Sequence, residues 1–234
     1  GANLLISLSS VTQSTIATVD NALASTTTTT TTTTNVVQAT NSQKAVNIQF
    51  KSIINSVATG LANNMIAGEF SQPLVGGTLT VNAQVVNSNT DPSVIGNTGN
   101  SSLFTLPLSI LTSDQDTTLS HFVNHENIYS YIDNTIEDQV DSYIVGLELF
   151  DSNGSSIQVS LVSVNTPIII DIEFHSYDED QPPKCQYWDE NLGTWSTQGI
   201  IKEEIDIDNK ILSCYVTHLT NFAALKPPVN TLSM

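Results

Sequence analysis

Arginine is absent from this sequence and lysine occurs only 6 times in 234 residues, against 23 aspartates and glutamates, so the formal charge is −17. Binding to a phosphate backbone needs clustered cations, which excludes nucleic acid as a partner, and an anionic membrane surface is disfavoured for the same reason. Long apolar runs are also missing. The most apolar stretch, Ile168-Ile169-Ile170, stops at Asp171, well short of the roughly 18 to 20 residues of a membrane helix. Cysteine occurs twice and tryptophan twice. There is no Gly-rich phosphate loop, Gly-x-Ser-x-Gly elbow or dinucleotide fingerprint, so no cofactor is expected. The chain starts at Gly1, and its opening GANLLISLSS has no basic flank and does not read as a signal peptide, so a piece of a longer protein is expected.

What is present suffices for a core: 39% of the residues are hydrophobic in a chain of 25.2 kDa. Leu4, Leu8, Val11, Val19 and Leu23 follow a helical spacing, which predicts an N-terminal helical segment over 1–25. Thr26 to Thr34 is an unbroken threonine tract, and 26–44 reads as an exposed linker. Phe50, Ile53, Ile54, Val57, Leu61 and Met65 share one face of a helix expected over 45–70, with Gly68 as its left-handed cap.

The period then changes to two. Leu79, Val81, Ala83 and Val85 alternate with Thr80, Asn82 and Gln84, so one face is expected buried and the other wet. Further strands are predicted at 103–108, 143–150, 157–162 and 167–174. Hairpin turns are predicted at Asp151 to Ser156 and around Asp208-Asn209-Lys210. The fold class is therefore mainly β with N-terminal helices (α+β), an antiparallel β-sandwich over 71–234 preceded by a short helical part.

Residues 185 to 225 read CQYWDENLGTWSTQGIIKEEIDIDNKILSCYVTHLTNFAAL. This stretch resembles the proteolysis-site motif that closes the GAIN domain of adhesion receptors and polycystin-1-like proteins. Cys185, Tyr187, Trp188, Trp195, Gly199, Cys214, His218, Leu219, Thr220, Phe222, Ala223 and Leu225 fall at the motif's positions, while Ile200 and Val216 replace two of its four cysteines. The sandwich is accordingly expected to be of GAIN subdomain-B type. In the family the first cysteine bonds the third and the second bonds the fourth. The resemblance therefore implies a Cys185–Cys214 disulfide, whose loop of about 30 residues contributes roughly 3 to 4 kcal/mol in the chain-entropy model. Trp188, Trp195, Gly199 and Phe222 are implied as structural positions. Sequons at Asn100 and Asn153, with the disulfide, suit the secretory route and a place on the extracellular side of a plasma or ciliary membrane.

For His218-Leu219-Thr220 the resemblance implies cis-autoproteolysis between Leu219 and Thr220. The residue types suit that chemistry. The Thr220 hydroxyl lies one residue past the Leu219 carbonyl and closes a five-membered ring on attack, and His218 is a general base available near neutral pH. A strained peptide at that bond would lower the barrier. The partners implied are the chain's own C-terminal fragment from Thr220 onward and a downstream membrane segment or channel-like subunit.

Two other readings stay open: a structural cell-surface or ciliary ectodomain that keeps the motif without cutting, and an acidic calcium-dependent adhesin, which calcium-dependent melting would separate. No metal site is expected. His121 and His125 in HFVNH, on a helix, would share a face but lack a metalloprotease glutamate, and neither 178–180 nor Glu203, Glu204, Asp206 and Asp208 has calcium-loop spacing. The implied disulfide has a direct check. Non-reducing peptide mapping should return Cys185 and Cys214 in one linked peptide, whereas free-thiol labelling at both positions of the native protein would contradict it.

Overall fold

The computed structural model describes residues 31–90, 104–111, 115–129, 139–159 and 165–226; the helical segment expected over 1–25 lies outside them. The helix predicted over 45–70 runs instead from Thr31 to Ala62 (α1), beginning inside the stretch read as a linker. Residues 31–44 contain neither Gly nor Pro, so no backbone breaker stops the helix from propagating back through threonines of middling propensity. It ends before Gly68. That glycine has φ 94°, but its N–H donates to the Val85 carbonyl at 2.7 Å, so it joins helix to sheet rather than capping α1.

The strands are β1 (Leu74–Gly76), β2 (Leu79–Val86), β3 (Phe104–Thr105), β4 (Thr117–Asn124), β5 (Ile144–Phe150), β6 (Ser156–Ile157), β7 (Ile168–Glu173), β8 (Lys184–Asp189), β9 (Thr194–Ser196), β10 (Ile200–Asp206), β11 (Ile211–Val216) and β12 (Asn221–Leu225). The strand expected over 103–108 is cut short because the chain turns at Pro107 into a 3-10 turn, Leu108–Ile110. Of the strand expected at 157–162, Ser156–Ile157 pairs with β5, and 160–164 are outside the described residues. Both predicted hairpin turns form. Gly154 takes φ 78° in the first, and Lys210 takes φ 56° in the second.

The fold is mainly β and antiparallel. One sheet has the order β1-β2-β4-β5-β12-β8-β9, with β6 on β5; the other has the order β10-β11-β7-β3. Between the sheets lie Val145, Leu147, Leu149, Ile168, Ile170, Ile172, Leu212, Val216, Phe222 and Ala224, all buried. On its other face the larger sheet carries α1, where Phe50, Ile54 and Ala58 meet Val81, Ala83 and Phe122; Phe50 and Phe122 stack edge to face at 5.8 Å. Three layers result, with the larger sheet in the middle.

That middle position corrects one expectation. The face of β2 expected to be wet is covered, so Asn82 and Gln84 are 3% and 2% exposed. HFVNH lies on and just after strand β4, and its two imidazoles go to different neighbours. His125 stacks on Tyr143 at 4.1 Å. His121 is buried, with Nδ1 3.5 Å from Asn82 Nδ2 and its ring 5.2 Å from Phe104.

Burial lowers the His121 pKa to about 4. An unfolded histidine binds its proton near 6.5, so between pH 6.5 and 4 the unfolded chain holds the extra proton, and stability falls as pH falls through that window. Urea unfolding at pH 7 and pH 5 should therefore differ by roughly 2 kcal/mol more in the wild type than in His121→Gln. Equal pH slopes for the two proteins would show that this imidazole does not set the acid limb.

Candidate functional site

The segment Thr217 to Thr220 crosses from β11 in the smaller sheet to β12 in the larger one. Beside this crossing is a cleft of about 580 Å³, reached by the ends of β5 and β8, the turn before β10 and the 217–220 segment itself. Each side chain of the expected triad is half-buried here. Backbone contacts hold the crossing at both ends. Thr217 donates its N–H to the Gly199 carbonyl at 3.0 Å, and Leu147 donates its N–H to the Thr220 carbonyl at 3.2 Å.

His218 is held by aromatic rings. Tyr187 meets it edge to face at 4.4 Å and Phe222 lies at 5.9 Å. Partial burial pushes its pKa below the ordinary imidazole value, and the nearby Asp189 carboxylate opposes that shift. Its Nε2 is buried without a hydrogen-bond partner. The Thr220 hydroxyl donates to the Trp188 carbonyl at 3.4 Å, so it must turn towards the imidazole before a proton can pass. The backbone strain that would lower the barrier at this bond is not visible in φ. Among the described residues Lys210 is the non-glycine residue with positive φ.

The disulfide expectation is met in the structure, where Cys185 and Cys214 are bonded with Cα atoms 5.9 Å apart. The bond ties β8 of the larger sheet to β11 of the smaller one. Trp188 and Trp195 are buried and stack edge to face at 5.6 Å, and Phe222 fills the space between the sheets. Asn153 sits exposed in the β5–β6 turn, whereas Asn100 lies outside the described residues. No group of three metal-ligating side chains occurs among the described residues.

Sequence reasoning missed three groups that hold this site. The Glu203 carboxylate accepts the Cys185 N–H at 2.6 Å and pairs with Lys184. Glu148 is gripped from α1 by Lys51 at 2.8 Å and by Asn55 at 2.8 Å. Tyr129 stacks on Trp188 at 4.2 Å and accepts a hydrogen bond from Asn221. The helical spacing of Lys51 and Asn55 is the only sequence signal for any of them, and it names no partner.

The family described as GPS, GAIN subdomain B, matches residues 6–229 of the chain. No curated protein matches it. Within the matched span, Gly199 beside the cleft leaves little room for a side chain. Its φ is 83°, and a Cβ there would lie 2.8 Å from both His218 Nδ1 and Thr217 Oγ1. Gly199→Ala should therefore cost about 1 to 2 kcal/mol for the left-handed backbone alone, more once the His218 ring is displaced. Urea unfolding measures this; a variant as stable as the wild type would show that the loop gives way freely.

Proposed function

The chain belongs to the GPS family, GAIN subdomain B, and on that premise we propose that it is an extracellular domain of a membrane protein that cuts itself once, between Leu219 and Thr220. The Thr220 Oγ attacks the Leu219 carbonyl carbon while His218 takes the hydroxyl proton. The C–N bond breaks as the departing amine is protonated, leaving an ester between Leu219 and the Thr220 oxygen. Water then hydrolyses that ester to a Leu219 carboxylate and a free Thr220 hydroxyl. No external substrate is turned over.

The observation that carries this reading is the crossing itself. His218, Leu219 and Thr220 line an open cleft that admits water, and the Thr220 carbonyl is fixed by Leu147. The new C-terminal fragment begins at Thr220 and runs at once into β12, all five residues of which are buried. Burying Phe222 and Leu225 is worth roughly 3 to 6 kcal/mol, with ladder hydrogen bonds added. The fragments accordingly stay together without a covalent link. The disulfide and the exposed Asn153 sequon suit the secretory route and a glycoprotein. A downstream membrane segment or channel-like subunit, at a plasma or ciliary membrane, is the partner to which the held strand would report, in an adhesion-receptor or polycystin-like parent.

One observation favours a second reading, a structural ectodomain that does not cut. The Thr220 hydroxyl points to Trp188 and the imidazole Nε2 is unpartnered. Denaturing gels separate the two readings. Protein from a secretory host should give a species ending at Leu219 and another beginning at Thr220. Thr220→Ala should abolish the cut, Thr220→Ser should keep it, and His218→Ala should slow it roughly 100- to 10,000-fold. Because the His218 pKa is lowered, the neutral base persists below pH 6.5, so the rate should lose half its plateau only at a pH under that value. A wild-type chain that stays intact would leave the structural reading.

A further inference from the structure

We infer that Tyr129, far from the motif in sequence, is a positioning residue for the Thr220 nucleophile; the inference rests on the self-cleavage reading. Thr220 is enclosed in a circuit of contacts that closes on itself. Its hydroxyl donates to the Trp188 carbonyl at 3.4 Å. The Trp188 ring lies flat on the Tyr129 ring, 4.2 Å between centroids at an interplanar angle of 15°. The Tyr129 hydroxyl accepts a hydrogen bond from the Asn221 amide, and Asn221 follows Thr220 in the chain. Tyr129 thus holds both the residue whose carbonyl accepts the nucleophile's hydrogen bond and the residue next to the nucleophile.

The circuit is rigid for identifiable reasons. Trp188, Asn221 and Tyr129 are 1%, 2% and 3% exposed. Trp195 abuts the Tyr129 ring edge to face at 5.6 Å, and the Tyr129 N–H donates to Asn127 Oδ1 at 3.0 Å. On the far side Asn221 is pressed against Gly146, where an added Cβ would lie 2.6 Å from Asn221 Oδ1. Asn221 is also paired with Gly146 of β5 in the sheet, so its backbone is held from that side while Tyr129 holds its amide. An acyl shift through a five-membered ring demands one narrow range of the Thr220 side-chain torsion, and small misplacements of a reacting atom cost large factors in rate. Fixing the backbone at Asn221 and the carbonyl at Trp188 fixes that torsion from both ends.

The test is pulse–chase synthesis of the full chain in a disulfide-forming secretory system, with cleavage followed on denaturing gels and the folded fraction by near-ultraviolet circular dichroism. Tyr129→Phe removes one oxygen and keeps the ring stack; Asn221→Ala breaks the same bond from its other end. Each should lower the cleavage rate per folded molecule about 10- to 100-fold, and the double variant should be no slower than the slower single one, since all three break one contact. The pH at which the rate is half its plateau should stay where it is in the wild type, because the His218 surroundings are untouched. If Tyr129 serves the fold alone, the folded fraction falls while the rate per folded molecule is unchanged, and the inference is overturned. Strictly multiplicative effects in the double variant overturn it as well. Should Tyr129→Phe fail to fold, Asn221→Ala decides alone by the same rate per folded molecule. An uncut wild type removes the cleavage reading and this inference together, whereas a cut wild type with an equally fast Tyr129→Phe removes only the inference.

Discussion

The larger sheet is continuous only because its last strand in sequence lies in its interior. β12 pairs antiparallel with β5 on one side and with β8 on the other, so among the described strands β8 and β9 join the rest of that sheet through it alone. The strand has water on neither face. Phe222 and Ala224 point between the sheets and Ala223 and Leu225 point towards the helix layer. Small residues at 223 and 224 suit a strand pressed from both sides, since larger side chains would overpack it. Everything at the crossing inherits its position from this insertion, because Thr220 is the residue that leads into it.

Two kinds of tie hold the frame around that strand. The disulfide crosses from the larger sheet to the smaller one and anchors β8 at Cys185, directly opposite Ala224 of β12. Glu203, pointing inward from an edge strand, accepts the Cys185 N–H beside it. An inward carboxylate on an edge strand also discourages pairing with another chain's edge. On the opposite face Lys51 and Asn55 reach from α1 to Glu148, so the helix layer is fastened to the strand beside β12. In a chain with 6 lysines and no arginine, placing two of those lysines at such junctions is a concentrated use of positive charge.

The legibility of this architecture in the sequence followed exposure. β7 alternates buried and half-buried residues along its length, and its period of two was readable because one of its faces meets solvent. β12 has no period at all, and only its likeness to a known motif marked it. The same double burial hid the covered face of β2, where Asn82 and Gln84 read as wet. In HFVNH a spacing of four would put both imidazoles on one face only of a helix, and here the segment is largely strand. At the site, the tripeptide and both cysteines were legible because the motif is local. The Tyr129–Asn221 contact joins residues 92 apart, a separation at which a single sequence carries no pairing signal.

The insertion of the final strand also has a consequence for the order of events during synthesis. A chain emerging from the ribosome at about 5 to 20 residues per second presents its N-terminal parts first, yet the β8–β9 hairpin has no neighbour in the larger sheet until Asn221–Leu225 has appeared. Until then two strand edges are unpaired and the apolar surface meant for Phe222 is open, a state that chaperones recognise. The surroundings of the Leu219–Thr220 bond are thus assembled by the segment that follows it. Any rearrangement of that bond that depends on those surroundings is timed by the completion of folding, and a chain interrupted before Leu225 would never reach it.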